Sequence, residues 1–181
     1  MSPAMVARNR VLLLLNVQEG ALADILLDAS AATKVKNNIT TILNYARNEV
    51  EPPPLIIHVR NAGDVGDIDE PGTPGWQLVH KPLPGERLVD KRRIDAFAGT
   101  ELAKLIPEDA KIVVVGLQSD FSVRATCGAA LDRGDEVLLI RGSHMTSARI
   151  LPGWCHCRPW PGTSSDQLSS TRGRNHPSSY D

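Results

Sequence analysis

The sequence predicts a single α/β domain on a mostly parallel, doubly wound, Rossmann-like sheet flanked by helices. Three observations carry that reading. Apolar runs of four to seven residues recur along the chain, as strands buried on both faces require. Stretches with helical spacing of apolar residues lie between them. Runs and stretches follow a β-α-β-(loop)-β-α-β order, which right-handed crossovers close into one parallel sheet.

The elements follow in turn. Residues 11–17 (VLLLLNV) form the first buried strand. Residues 34–48 place Val35, Ile39, Ile42, Leu43 and Ala46 on one helical face, with Thr33 as the expected cap. Pro52, Pro53 and Pro54 stop that helix ahead of a second strand over 55–59 (LIIHV). Residues 61–84 are rich in Gly, Pro and Asp, and so long a connection is often functional. Leu88 and Val89 suggest a short strand and residues 100–105 a short helix. Residues 112–115 (IVVV) make a third strong strand, running through Gly116 into a helix over about 121–133 that Gly134 closes. Residues 137–140 (VLLI) are the fourth. The expected domain covers 1–142. Residues 143–181 show no helical or strand period, are dominated by Ser, Arg, Pro and Gly, and read as a disordered tail.

Composition narrows the function. The 181 residues are 41% hydrophobic and 23% charged, ordinary for a globular domain. A net charge of -1 gives no electrostatic footprint for nucleic acid or an anionic membrane. Residues 1–10 do not read as a secretory signal, and residues 11–15 are too short to span a bilayer. Cys127, Cys155 and Cys157 make no disulfide framework, which points to a reducing, cytoplasmic setting.

In a doubly wound sheet the site lies beyond the carboxyl ends of the strands. Asn16 to Glu19, Arg60 with Asn61, and Gly116 to Ser122 fall there. A helix opening near Phe121 would aim backbone N–H groups beside Ser122, an arrangement suited to an anion or an oxyanion. The plainer reading is that Ser119 or Asp120 caps that helix. Lys91 reads either as a cation beside a nucleophile or as part of a solvated basic cluster with Arg92 and Arg93. Asn16 interrupts an apolar run and faces either the site or a backbone partner. Cys127, five residues past Ser122, reads as a small core residue. Cys155, His156 and Cys157, with His144 nearby, lack a standard zinc spacing. No P-loop, Gly-x-Gly-x-x-Gly fingerprint or Gly-x-Ser-x-Gly elbow is present, which counts against nucleotide binding and α/β-hydrolase chemistry.

Four ordered pieces together resemble the isochorismatase-like cysteine hydrolase family, which includes nicotinamidase-related amidases. They are VLLLLNVQ (11–18), IIHVRN (56–61) with the later PGTPGW (71–76), VDKRRIDAFAGTEL (89–102) and VVVGLQSDFSVRATCGAALDRGDEVLLI (113–140). The resemblance implies a site of an Asp ending the first strand, a Lys before an Ala-Phe motif and a Cys opening the helix. Lys91 matches the Lys; the Asp position holds Asn16 and the Cys position Ser122.

By that resemblance the chain acts on C–N amide bonds of a small molecule. Ser122 is the nucleophile, Lys91 the cation, Asn16 a hydrogen-bonding orienter, and the N–H groups of 118–122 the oxyanion site. Trp76, Phe97 and Gln118 are the expected substrate-binding residues. An Asn amide cannot take a proton near neutral pH, and loss of a general base costs about 10²–10⁴-fold, so catalysis is expected to be weak or lost. No histidine falls at a family position that could replace the base, which leaves His58 and His144 to be judged by their place in space. The alternative is a non-catalytic relative that binds a small molecule or a partner subunit. The family's His-containing metal motif is missing after Arg60, so no metal or other cofactor is expected. Family members commonly self-associate, so the resemblance leaves a homo-oligomer possible, while the segment from Ser143 onward departs from the family's continuation and could prevent it.

Overall fold

The computed structural model describes residues 9–24 and 29–145. Its strands are β1 (Arg10–Leu15), β2 (Leu55–Asn61), β3 (Arg87–Lys91), β4 (Lys111–Leu117) and β5 (Glu136–Met145). Its α-helices are α1 (Glu19–Asp24), α2 (Ala29–Asn48), α3 (Leu102–Leu105) and α4 (Arg124–Asp132). The strands form one all-parallel sheet in the order β3-β2-β1-β4-β5. The doubly wound α/β expectation holds.

β1 explains the architecture. Its residues 11–15 are buried to 2% exposure or less, because the strand lies between β2 and β4 with a layer on each face. Side chains alternate across a strand. Val11, Leu13 and Leu15 therefore join one core cluster with Leu102, Ile106, Val123 and Ala130 of the α3 and α4 side. Leu12 and Leu14 join the other with Val35, Ile39 and Leu43 of α2. The chain winds outward from β1 through β2 to β3, then returns to β4 on the opposite flank. The switch point of the sheet thus lies between the carboxyl ends of β1 and β4, where open α/β sheets hold their ligands.

Several boundaries differ from the sequence reading. Helix α2 begins at Ala29, so Thr33 lies inside it and does not cap it. Helix α1 has six residues, too few to reveal a helical period. A π-helical turn (Ser119–Val123) precedes α4, so the α-helix proper starts at Arg124 and not at Phe121. β5 continues to Met145, three residues past the boundary expected at 142, with Ser143 and Met145 buried. The rest of the expected tail, with Cys155, His156 and Cys157, lies outside the described residues. No helix among the described residues is long and apolar enough to cross a membrane.

The switch point is held tight by one glycine. Gly116 pairs with Leu15 in register and has a φ of 140°, a conformation that L side chains rarely adopt. A Cβ there would overlap the Leu15 carbonyl oxygen, which is backbone and cannot step aside. The strain and the clash act together, so Gly116→Ala is expected to cost more than about 3 kcal/mol of folding stability. A urea melt in which the variant unfolds at the parent's midpoint would contradict that packing.

Candidate active site

Three chain segments converge at the carboxyl edge. Asn16 follows β1 directly and has a φ of 52°, a left-handed value that Asn tolerates better than most residues. Its backbone N–H donates to the Val59 carbonyl at 2.9 Å, which holds the end of β1 against β2. Gln18 is fully buried and spans the same gap. Its Nε2 donates to the Asn61 and Trp76 carbonyls at 3.0 and 3.2 Å, while its Oε1 accepts from the Asn61 N–H at 2.7 Å.

Lys91 ends β3 opposite Asn61 in register. It is 2% exposed, whereas Arg92 and Arg93 beside it are exposed, so the basic cluster divides at this residue. Its Nζ has three partners: Asn61 Oδ1 at 2.9 Å, the Arg93 carbonyl at 3.0 Å and Ser122 Oγ at 3.1 Å. Asn61 is fixed in turn, since its Nδ2 donates to Asp69 Oδ2 at 2.7 Å. The segment after β3 is pinned by the Ala96 N–H donating to Thr126 Oγ1 at 3.1 Å, which ties it to α4. Burial pushes the Lys91 amine down to about 8, against the pull of Asp69 and Asp95, which favour its charged form.

Ser122 sits inside the π turn and is 2% exposed. The turn starts from Gln118, whose φ of 63° is left-handed and whose carbonyl accepts from both the Phe121 and Val123 N–H groups. The Phe121 N–H is therefore spent inside the turn and leaves the set of oxyanion donors expected over 118–122. The Ser119 hydroxyl pairs with His144 Nδ1 at 2.9 Å and so does not cap the turn. π turns of this kind occur often at functional sites.

The remaining expected residues are spread out. Trp76 lies in the long loop after β2, with the Arg60 guanidinium 3.4 Å above its ring, a cation–π contact. Phe97 packs against the core cluster, with Arg133 4.8 Å over its ring. The Gln118 side chain is exposed. Cys127 is buried in the core and its thiol is pushed up to about 12 by burial, far from a reactive thiolate. His58 Nε2 donates to Glu86 Oε2 at 2.8 Å, and His144 is occupied with Ser119. Neither histidine bonds Ser122. A hollow of about 190 Å³ opens on the β5 side of the π turn, lined by Ser119, Val123, Cys127, Leu139 and His144, whereas Lys91 reaches the turn from the β3 side. Among the described residues no group of three His, Cys, Asp or Glu is placed to hold a metal ion.

Asn61, Asp69 and Gln18 carry the site's scaffold. Asn61 was visible as a strand-end position, but nothing in the sequence joins it to Asp69 or Lys91. Asn16 differs from its neighbours: both its Oδ1 and Nδ2 are buried without a hydrogen-bond partner among the described residues. An amide buried in that way costs about 1–3 kcal/mol.

The isochorismatase domain model matches residues 10–148 of this chain. Two streptothricin hydrolases of Streptomyces noursei are 40% and 38% identical to it over 97 residues, 51% of this chain. The match spans only 38% and 35% of those relatives' own lengths. Among solved structures, an isochorismatase from Pseudomonas putida superposes with a TM-score of 0.66 at 29% identity, covering 80% of this chain and 74% of that one. The nicotinamidase of Staphylococcus aureus shares the fold, with a TM-score of 0.61 at 19% identity over 76% of this chain and 83% of that one.

Replacing Asn16 by Gly removes the orphaned amide and the left-handed strain together. Asn16→Gly is expected to gain about 1 kcal/mol after the entropy that a glycine adds to the unfolded chain. Chemical denaturation reads this directly, and a clear loss of stability would mean that the Asn16 amide is partnered after all.

Proposed function

Since the chain belongs to the isochorismatase domain family, we propose that it is a hydrolase of C–N amide bonds in a small molecule, weak at neutral pH, with Ser122 as its nucleophile. The observation that carries this reading is the 3.1 Å contact between Lys91 Nζ and Ser122 Oγ, both buried, at the carboxyl edge of the sheet beside the switch point. The streptothricin hydrolases, 40% and 38% identical over 97 residues, support hydrolysis as the reaction class.

Each residue has a role in that reaction. Ser122 Oγ attacks the amide carbonyl and forms an acyl-enzyme that water then hydrolyses. Lys91 holds the Ser122 oxygen in place through an amine anchored by Asn61 and the Arg93 carbonyl. The unpartnered Asn16 amide offers a donor and an acceptor to a polar substrate group. Trp76, steadied by Arg60, forms the loop-side wall. Catalysis is weak at neutral pH because Asn16 cannot accept a proton and no carboxylate or imidazole of the described residues bonds Ser122.

The same orphaned amide favours one second reading, a relative that binds a small molecule without turning it over. Ammonia release at pH 7 over a panel of small amides, with streptothricin degradation followed separately by mass spectrometry, separates the two. Asn16→Asp/Ser122→Cys is expected to exceed the parent by about a hundredfold or more, because it restores both base and thiolate. A parent and double variant that both leave every amide intact, while a panel member raises their melting temperature, would replace the hydrolase by the binding protein.

A further inference from the structure

The partners of Lys91 suit a group that exchanges a proton. Asn61 Oδ1 can only accept, and its orientation is fixed because the Nδ2 on the same amide donates to the Asp69 carboxylate. The Arg93 carbonyl can only accept. Ser122 Oγ is the one partner that carries a proton of its own. A neutral amine has two N–H donors and one lone pair. Two acceptors and a hydroxyl that can donate match that set one for one, and the same three oxygens accept the three N–H groups of the ammonium, so one geometry serves both ends of a proton transfer between Ser122 and Lys91.

The surroundings agree. Among the described residues no carboxylate lies within ion-pair distance of Lys91 Nζ. The charged groups whose fields reach it are Asp69 from the long loop and Asp95 from the segment after β3. The π turn presents the neutral Ser122 hydroxyl to it. No imidazole or carboxylate of the described residues bonds Ser122, since His144 is held by Ser119 and His58 pairs with Glu86.

We propose that Lys91 is the general base of this site: its amine lone pair takes the proton of Ser122, and the two residues work as a serine–lysine dyad in place of a carboxylate-based one. The inference rests on the reading of Ser122 as nucleophile. In the first step the Ser122 O–H proton passes to Lys91 Nζ, the Oγ–C bond forms, and the carbonyl π pair moves to the substrate oxygen. As that oxyanion collapses, the C–N bond breaks and the leaving nitrogen takes the proton from the Lys91 ammonium. Water then attacks the ester, gives its proton to Lys91, and the acid departs as Ser122 recovers its own. Amide and water are the only reactants. Burial leaves about a tenth of the molecules with a neutral Lys91 at pH 7 and most of them at pH 9, so the dyad works best on the alkaline side.

An alkyl fluorophosphonate tests the proton transfer without any amide. Oγ attacks phosphorus, fluoride leaves, and intact-mass spectrometry with peptide mapping counts the adduct on Ser122. In the parent the labelling rate is expected to rise about a hundredfold between pH 6 and pH 9. Lys91→Met and Lys91→Arg, each checked for a cooperative melt, are expected to label slowly and without that rise. A flat profile in the parent, which needs no variant, overturns the inference. So does a Ser122 that is never labelled, or one that labels at the parental rate when Lys91 is Met or Arg. Lys91-dependent labelling without hydrolysis of any amide would support the dyad and refute the amidase reading. Ser122-dependent amide hydrolysis with flat labelling would do the reverse.

Discussion

Burying one amino group organises this site. Lys91 is taken out of water at the end of β3, and an unpartnered buried amine would cost more than one strand end can offset. It is tolerated because three oxygens converge on it from three directions: β2 through Asn61, its own strand's exit through the Arg93 carbonyl, and the π turn through Ser122. Each anchor requires another. Asn61 is set by Asp69 and by Gln18, which draws the long loop and the end of β1 to the same point. The Arg93 turn is set through Ala96 and Thr126. The carboxyl edge is therefore one connected hydrogen-bond structure.

Electrostatics and backbone geometry then divide the labour. Desolvation weakens the charge on Lys91 while Asp69 and Asp95 limit the effect, so the amine is kept near the pH at which it can exchange a proton. The π turn swings Ser122 toward β3, and Ser119, three residues earlier, faces β5 and His144. The left-handed Asn16 and Gln118 mark the ends of β1 and of β4 on either side of the switch point. Strained or unsatisfied groups gather at such places because rigid surroundings hold them there.

Much of the fold was legible in the sequence, for a physical reason. The runs at 11–17, 55–59 and 112–115 are continuous because their strands are covered on both faces, and a continuous run needs no partner to be recognised. The residues alone marked Lys91 and Ser122 as candidates and left plainer readings open; the resemblance made them a pair. On its own, Lys91 stands in a run of three basic residues that would be solvated, and nothing local says that the first of them turns inward. Helix α1 and the π turn escaped because each is shorter than the window of about 11–18 residues over which a helical period shows. The scaffold of Asn61, Asp69, Gln18 and Thr126 escaped because its bonds join residues far apart in sequence and of ordinary type. Asn16 read as a possible orienter; the structure adds that its amide has no partner among the described residues.

The burial of Lys91 among three oxygens is the central claim, and its titration tests it most directly. Specific labelling of lysine Nζ with ¹³C-methyl groups, followed by NMR across pH 6 to 11 and assigned by Lys91→Arg, gives the value for that amine alone. The account predicts a midpoint near 8. A midpoint near 10.5, the ordinary value of a solvated lysine, would contradict it and return Lys91 to the exposed basic cluster.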